Sequence, residues 1–84
     1  MSKNDIIAAL AEAFGEVGGI DASAVRTDAS LFVDLNADSM VIAEALLIVE
    51  ERFGLTVSDD FAEEMTTVGD LAEHILSAGS SSAA

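Results

Sequence analysis

No proline interrupts this chain of 84 residues, and its apolar residues recur at helical spacing in four separate stretches. A proline-free pattern of that period points to an all-α bundle. The first stretch starts near Asn4, a good N-cap, and places Ile6, Leu10, Ala13, Phe14 and Val17 on one face. Gly18-Gly19 ends it. A long connection follows from Ile20 to Ala37, with Val25, Leu31, Phe32 and Leu35 among its polar residues. Apolar residues in a loop this long imply that it packs down across the bundle. The second helix is expected from about Asp38 to Phe53, with Asp38 as cap and Gly54 as stop. Ile42, Leu46, Val49 and Phe53 form its core stripe. A short third helix is expected over Ser58 to Met65. Thr67-Val68-Gly69-Asp70 reads as a capping box opening a fourth helix, with Val68, Leu71, Ala72, Ile75 and Leu76 on one face. The small polar residues from Ser77 onward are expected to fray.

Composition narrows the function. The length allows one core, and an apolar fraction of 51% is enough to fold it. With 16 acidic residues against 3 basic ones, the net charge is −13. Such a polyanion repels phosphate backbones and anionic headgroups, so nucleic acid and membrane surfaces are excluded as partners and a basic protein surface is the complement. The absence of cysteine removes disulfides, thiolate metal sites and a cysteine nucleophile. No apolar run is long enough for a membrane span, and the first residues lack the blocks of a signal peptide, so a cytoplasmic monomer is expected.

A search for catalytic machinery finds almost nothing. His74 is the one histidine, with no glycine-flanked serine elbow to accompany it, and it fits a half-exposed position on the last helix. No phosphate loop or dinucleotide fingerprint is present. Asp34, Asn36 and Asp38 have the oxygen spacing that opens an EF-hand loop. The loop then needs glycine and a closing glutamate where this chain has Ser39 and Ala45, so no specific metal site is expected. The chain is not expected to be an enzyme.

The same segment also begins a helix. Ser39 stands in its first turn beside the Asp38 cap, and local physics leaves two roles open for it. Its hydroxyl assists capping, or it carries a covalent anionic group that the helix N-terminus favours.

Asp34-Leu35-Asn36-Ala37-Asp38-Ser39-Met40 resembles the attachment motif of acyl carrier proteins, usually D-L-G-A-D-S-L. The likeness extends through Val49-Glu50-Glu51-Arg52-Phe53, the acidic stretch from Ser58 to Met65, and Thr66-Thr67-Val68-Gly69-Asp70. It implies a discrete, type II carrier: a four-helix bundle with a long first loop and a short third helix. The carrier domain spans residues 1–78, with a flexible tail over 79–84. The resemblance also implies a 4′-phosphopantetheine arm on Ser39, with Asp38 as the adjacent cap. A phosphopantetheinyl transferase installs the arm from coenzyme A, and its thiol holds acyl groups as thioesters for acyltransferases, ketosynthases and other enzymes of the pathway. Imported sulfur accounts for a chain without cysteine.

Helix arithmetic adds a docking face. With the core stripe inward, Met40, Glu44, Leu47 and Glu51 share another side of the second helix. Val41 and Glu50 join them in the expected partner-binding set. The departures from the usual motif are Asn36 for glycine, Met40 for leucine, and Val41 where an acid often follows. Asparagine tolerates a left-handed backbone, so the turn is expected to survive. Ala43 and Ala45 stand in place of larger aliphatics and are expected to leave room for an acyl chain. Together these lean toward a type II polyketide or other specialised acyl pathway over primary fatty-acid synthesis. The alternatives are an aminoacyl, D-alanyl or peptidyl carrier, and a cofactor-free acidic adaptor. Ala37 before Asp38 and the Thr-Thr-Val helix opening favour the acyl type.

Overall fold

The computed structural model describes residues 2–57 and 66–83, with side chains through residue 78. Among these residues the order is α1 (Lys3–Gly18), a 3-10 turn (Ala22–Ala24), α2 (Ser39–Phe53) and α3 (Val68–Ala83). The architecture is all-helical, apart from one isolated antiparallel bridge between Ser30 and Thr67. The expected helix from Ser58 to Met65 lies outside the described residues. Along α3 the backbone helix continues to Ala83, past the point where fraying was expected.

Local chemistry sets the element boundaries. The N-cap of α1 is Ser2, not Asn4, because Ser2 has an acid three residues on. The Ser2 Oγ accepts from the Asp5 N–H at 3.2 Å, and the Asp5 carboxylate accepts from the Ser2 N–H at 3.1 Å. The helix ends at Gly19, whose φ of 63° is in the left-handed region and whose N–H reaches back to Gly15 O. The α2 boundaries are as expected: Asp38 caps the start, and Gly54 ends the helix with φ 67°. At α3, Thr67 and Asp70 make the expected reciprocal box. The Asp70 N–H donates to Thr67 Oγ1 at 3.1 Å, and the Thr67 N–H donates to the Asp70 carboxylate at 3.4 Å.

The core joins one face of each helix. Ile6, Leu10 and Phe14 of α1 are wholly buried, as are Val49 of α2 and Val68, Leu71 and Ile75 of α3. Alanines fill the close approaches: Ala13, Ala45 and Ala72 are completely buried. Phe53 at the end of the α2 stripe is only half-buried, as are Val17 and Leu76.

The long connection does pack down. Val25, Ala29, Leu31 and Leu35 are buried in the core. Phe32, which was expected to join them, is turned outward. The connection is tied to the start of α3 by backbone bonds. The Leu31 N–H donates to Thr66 O at 2.8 Å, that of Val68 to Ala29 O at 3.0 Å, and that of Gly69 to Thr27 O at 2.8 Å. This approach needs glycine at position 69. A Cβ there would stand 2.8 Å from the Thr27 side chain and 2.9 Å from its carbonyl oxygen.

Two predictions follow from these contacts. Gly69→Ala should lower stability by about 1–3 kcal/mol, since backbone must move to admit the methyl. Gly15→Ala should act in the opposite sense, by roughly 0.5–1 kcal/mol, because a Cβ there meets its nearest neighbour at an ordinary 3.6 Å. Thermal melts of the two variants check both signs. Second, the Thr66 N–H, then the Thr67 hydroxyl, hold the Asp70 carboxyl below the ordinary aspartate value. A lowered carboxylate stabilises the fold above its unfolded value, and that contribution disappears as pH falls through the folded one. Between about pH 5 and pH 2, Asp70→Asn should therefore lose less stability than the wild type, read from denaturant melts across that range.

Candidate functional site

The segment from Asp34 to Met40 alternates between residues committed to structure and residues left outward. Leu35 and Ala37 are buried and anchor the segment in the core. Between them Asn36 adopts φ 52°, the left-handed backbone expected of an asparagine in a glycine's place. The Asp34 carboxylate accepts the Ser30 N–H at 2.8 Å, which closes the turn ahead of the motif. The Ala37 N–H donates to Leu31 O at 2.9 Å, which brings the chain into position to start α2.

Asp38 and Ser39 divide the work at that start. The Asp38 carboxylate accepts the Val41 N–H at 2.9 Å, and the Asp38 carbonyl accepts the Ile42 N–H at 3.0 Å. The capping interaction belongs to Asp38. Ser39 is the first residue of the helix and is exposed. Of the two roles open to this hydroxyl in sequence, the capping one falls to its neighbour. An exposed serine oxygen at a positive helix end is suited to an anionic phosphodiester. The residues therefore fit a covalently held phosphopantetheine.

Downstream, the structure sorts the expected docking residues. Met40 and Leu47 are 69% and 61% exposed, and Glu44 and Glu51 are exposed beside them. These four share a face. Val41 does not join it. It is half-buried and turned toward the end of α1, where a Cβ on Gly18 would stand 3.1 Å from its Cγ1. The absence of a side chain at Gly18 makes room for it. Glu50 is half-buried. Its carboxylate accepts the Val57 N–H at 2.6 Å, so it ties the segment after α2 back to the helix.

Room beside α2 is found at one of the two expected alanines. Ala45 is wholly buried and belongs to the core. Ala43 is exposed and, with Leu46, Leu47, Glu50 and Val57, lines a cavity of about 150 Å³. Phe32 and Val33 stand exposed just ahead of the motif. Apolar character suggested burial for Phe32, and only the turn geometry reveals its direction.

The charge balance is also legible in space. Each of the basic residues meets an acid: Lys3 with Glu73 at 3.2 Å, Arg26 with Asp28 at 3.8 Å, and Arg52 with Glu12. All of these pairs are exposed, so each contributes little to stability. None involves the acids of the α2 outer face. His74 is half-buried on α3, away from Ser39 in sequence and on a different element. No helix among the described residues is long and apolar enough to cross a membrane.

Comparison with known proteins agrees with this geometry. A family model described as the phosphopantetheine attachment site matches residues 8–75. The chain is 38% identical over 78 residues to a protein named acyl carrier protein from Acidothermus cellulolyticus, covering 93% of each chain. A protein of the same name from Exiguobacterium sibiricum is 37% identical over 75 residues, covering 89% of this chain and 95% of the relative. One from Chlamydia caviae is 42% identical over 57 residues, covering 68% and 74% respectively. The exposed serine at a capped helix start and these matches across most of the chain give one answer: the protein belongs to the acyl carrier protein family, with a covalently attached 4′-phosphopantetheine as its cofactor.

Proposed function

We propose that Ser39 is the attachment residue and that the outer face of α2 presents the loaded arm to the enzymes of an acyl pathway. The division between Asp38 and Ser39 carries this reading. Asp38 satisfies the helix start, so the exposed Ser39 oxygen is left for chemistry. In loading, that oxygen forms a phosphodiester with the phosphopantetheinyl group of coenzyme A. The hydroxyl gives up its proton and adenosine 3′,5′-bisphosphate leaves. Once attached, the arm supplies a terminal thiol that holds cargo as a thioester. The chain's own part is to hold Ser39 outward, keep the bundle folded, and offer a surface that enzymes read. It acts as a carrier and not as a catalyst.

The docking surface on this reading is Met40, Glu44, Leu47 and Glu51. Its carboxylates complement basic enzyme surfaces and speed encounter, while the two apolar side chains provide contact once docked. Val41 and Glu50 support this face from beneath through their contacts with α1 and Val57. The partners are a phosphopantetheinyl transferase, acyltransferases, ketosynthases and other basic-surfaced enzymes, met by a monomeric carrier in the cytoplasm. For cargo we favour intermediates of a type II polyketide or other specialised acyl pathway, with fatty-acid synthesis as the competing assignment. The exposed Ala43 and the cavity beside it support that preference, since they leave space on α2 close to the docking face.

Intact-protein mass after incubation with a broad-specificity phosphopantetheinyl transferase and coenzyme A tests the attachment. The wild type should gain one phosphopantetheinyl group and Ser39→Ala none. In thermal melts Ser39→Ala should stay close to wild type, whereas Asp38→Ala should lose about 1 kcal/mol as the cap is removed. No gain on a folded wild type would return the chain to the role of cofactor-free adaptor. For the docking face, Glu44→Gln with Glu51→Gln should slow transferase loading by about threefold at low salt. The difference should close as ionic strength rises past roughly 0.5 M. The pathway is tested with malonyl- and acyl-loaded protein. Elongation at full efficiency by a housekeeping fatty-acid ketosynthase would assign it to primary fatty-acid synthesis, and loading by an adenylation domain would assign it to aminoacyl transfer.

A further inference from the structure

Among the described residues, the large apolar side chains left exposed are Phe32, Val33, Met40 and Leu47. Isolated exposed hydrophobes are ordinary on any surface, but these are not scattered. Met40 and Leu47 lie on the outer face of α2, and Phe32 and Val33 occupy the turn that leads into it. Val33, at 79%, is the most exposed of the group. The remaining large apolar residues described on α1 and α3 are buried or half-buried.

The turn holding Phe32 and Val33 is closed on itself. The N–H groups of Asp34 and Leu35 both donate to Ser30 O at 3.0 Å, and the Val33 N–H donates to Ser30 Oγ at 3.2 Å. Past these bonds, the Ala37 N–H reaches Leu31 O at 2.9 Å, two residues before Ser39. Phe32 directly follows Leu31, so the pair is held at the N-terminal end of α2. Three successive backbone donors of the turn, those of Val33, Asp34 and Leu35, are taken up by Ser30, and the turn offers two apolar side chains outward. Exposed apolar surface therefore flanks Ser39 on both sides in sequence, with the Asp34, Asp38 and Glu44 carboxylates exposed between.

We infer that Phe32 and Val33 form a second apolar anchor that seats the phosphopantetheinyl transferase on the upstream side of Ser39, opposite Met40 and Leu47. The inference rests on Ser39 as the attachment residue. Chemistry selects this occupant. An enzyme that delivers a group from coenzyme A holds a polyanion, so the rim of its cleft carries positive charge, which the intervening carboxylates complement. A second copy of this chain brings the same net charge of −13 and is repelled. Steering by the acids governs arrival, and the apolar anchor governs how long the complex lasts.

Steady-state loading kinetics with a phosphopantetheinyl transferase and coenzyme A, read by mass, test this on the full chain. Phe32→Ser/Val33→Ser should raise KM for the carrier about tenfold with kcat within twofold of wild type. Unlike the effect of the acid variants, this one should persist at high salt. Val33→Ser alone, at the most exposed position, should raise KM about threefold, which keeps the test decisive should the double variant fold poorly by circular dichroism. An unchanged KM in folded Val33→Ser, alongside a raised KM in Leu47→Ala, would overturn the anchor and leave the α2 face standing. A wild type that accepts no phosphopantetheinyl group would instead remove the Ser39 reading beneath it. Sedimentation equilibrium showing a wild-type dimer that Val33→Ser dissolves would reassign the pair to self-association.

Discussion

The set of backbone hydrogen bonds between the long connection and the opening of α3 is the constraint on which the site depends. The connection contains only one short 3-10 turn, yet it must deliver α2 to the bundle in a defined place. Leu31 bonded to Thr66, Val68 to Ala29 and Gly69 to Thr27 fix it at one edge, and buried Leu31 and Leu35 fix it from below. A loop held this way loses its conformational freedom once, at folding, and has little left to lose when an enzyme engages it. At Gly69 helix and loop come close enough to exclude a Cβ, which is why a residue remote from Ser39 in sequence bears on how Ser39 is displayed.

Charge and apolar surface act on different stages of recognition. The core is thin and rich in alanine, and the exposed ion pairs of Lys3, Arg26 and Arg52 add little to its stability. The acids instead give the molecule, with its net charge of −13, a long-range negative field that complements basic surfaces. At close range, on the proposed reading, selectivity rests on the exposed apolar side chains Phe32, Val33, Met40 and Leu47. A protein that must leave each partner needs both: rapid approach and a contact patch small enough to release.

Much of this was legible in the sequence, where short-range chemistry decides the outcome. Asp38 as cap, Gly54 as stop, the Thr67–Asp70 box and the left-handed Asn36 each depend on neighbours within a few residues. The burial of Ile6, Leu10, Phe14, Ile42 and Val49 follows from helical period. Legibility ends where distant contacts intervene. The closeness of Val41 to Gly18 at the end of α1 is a long-range contact that no local spacing announces. The bond from the Val57 N–H to the Glu50 carboxylate is likewise set by a contact seven residues away and is not read from spacing. Phe32 had the character of a core residue, but the turn closed on Ser30 aims it outward. The Ser2–Asp5 box was available in sequence and was hidden by Asn4, an equally good cap by residue type.

The separation of the cap from the exposed serine has a consequence for the start of α2. Because the side-chain cap of α2 comes from Asp38 and not from Ser39, a group placed on the serine, on the proposed reading, leaves that cap bond intact. What such a group adds to the helix start is the interaction of its negative charge with the dipole, and not the replacement of a hydrogen bond. The polypeptide then need not rebuild its own capping when the serine changes its state.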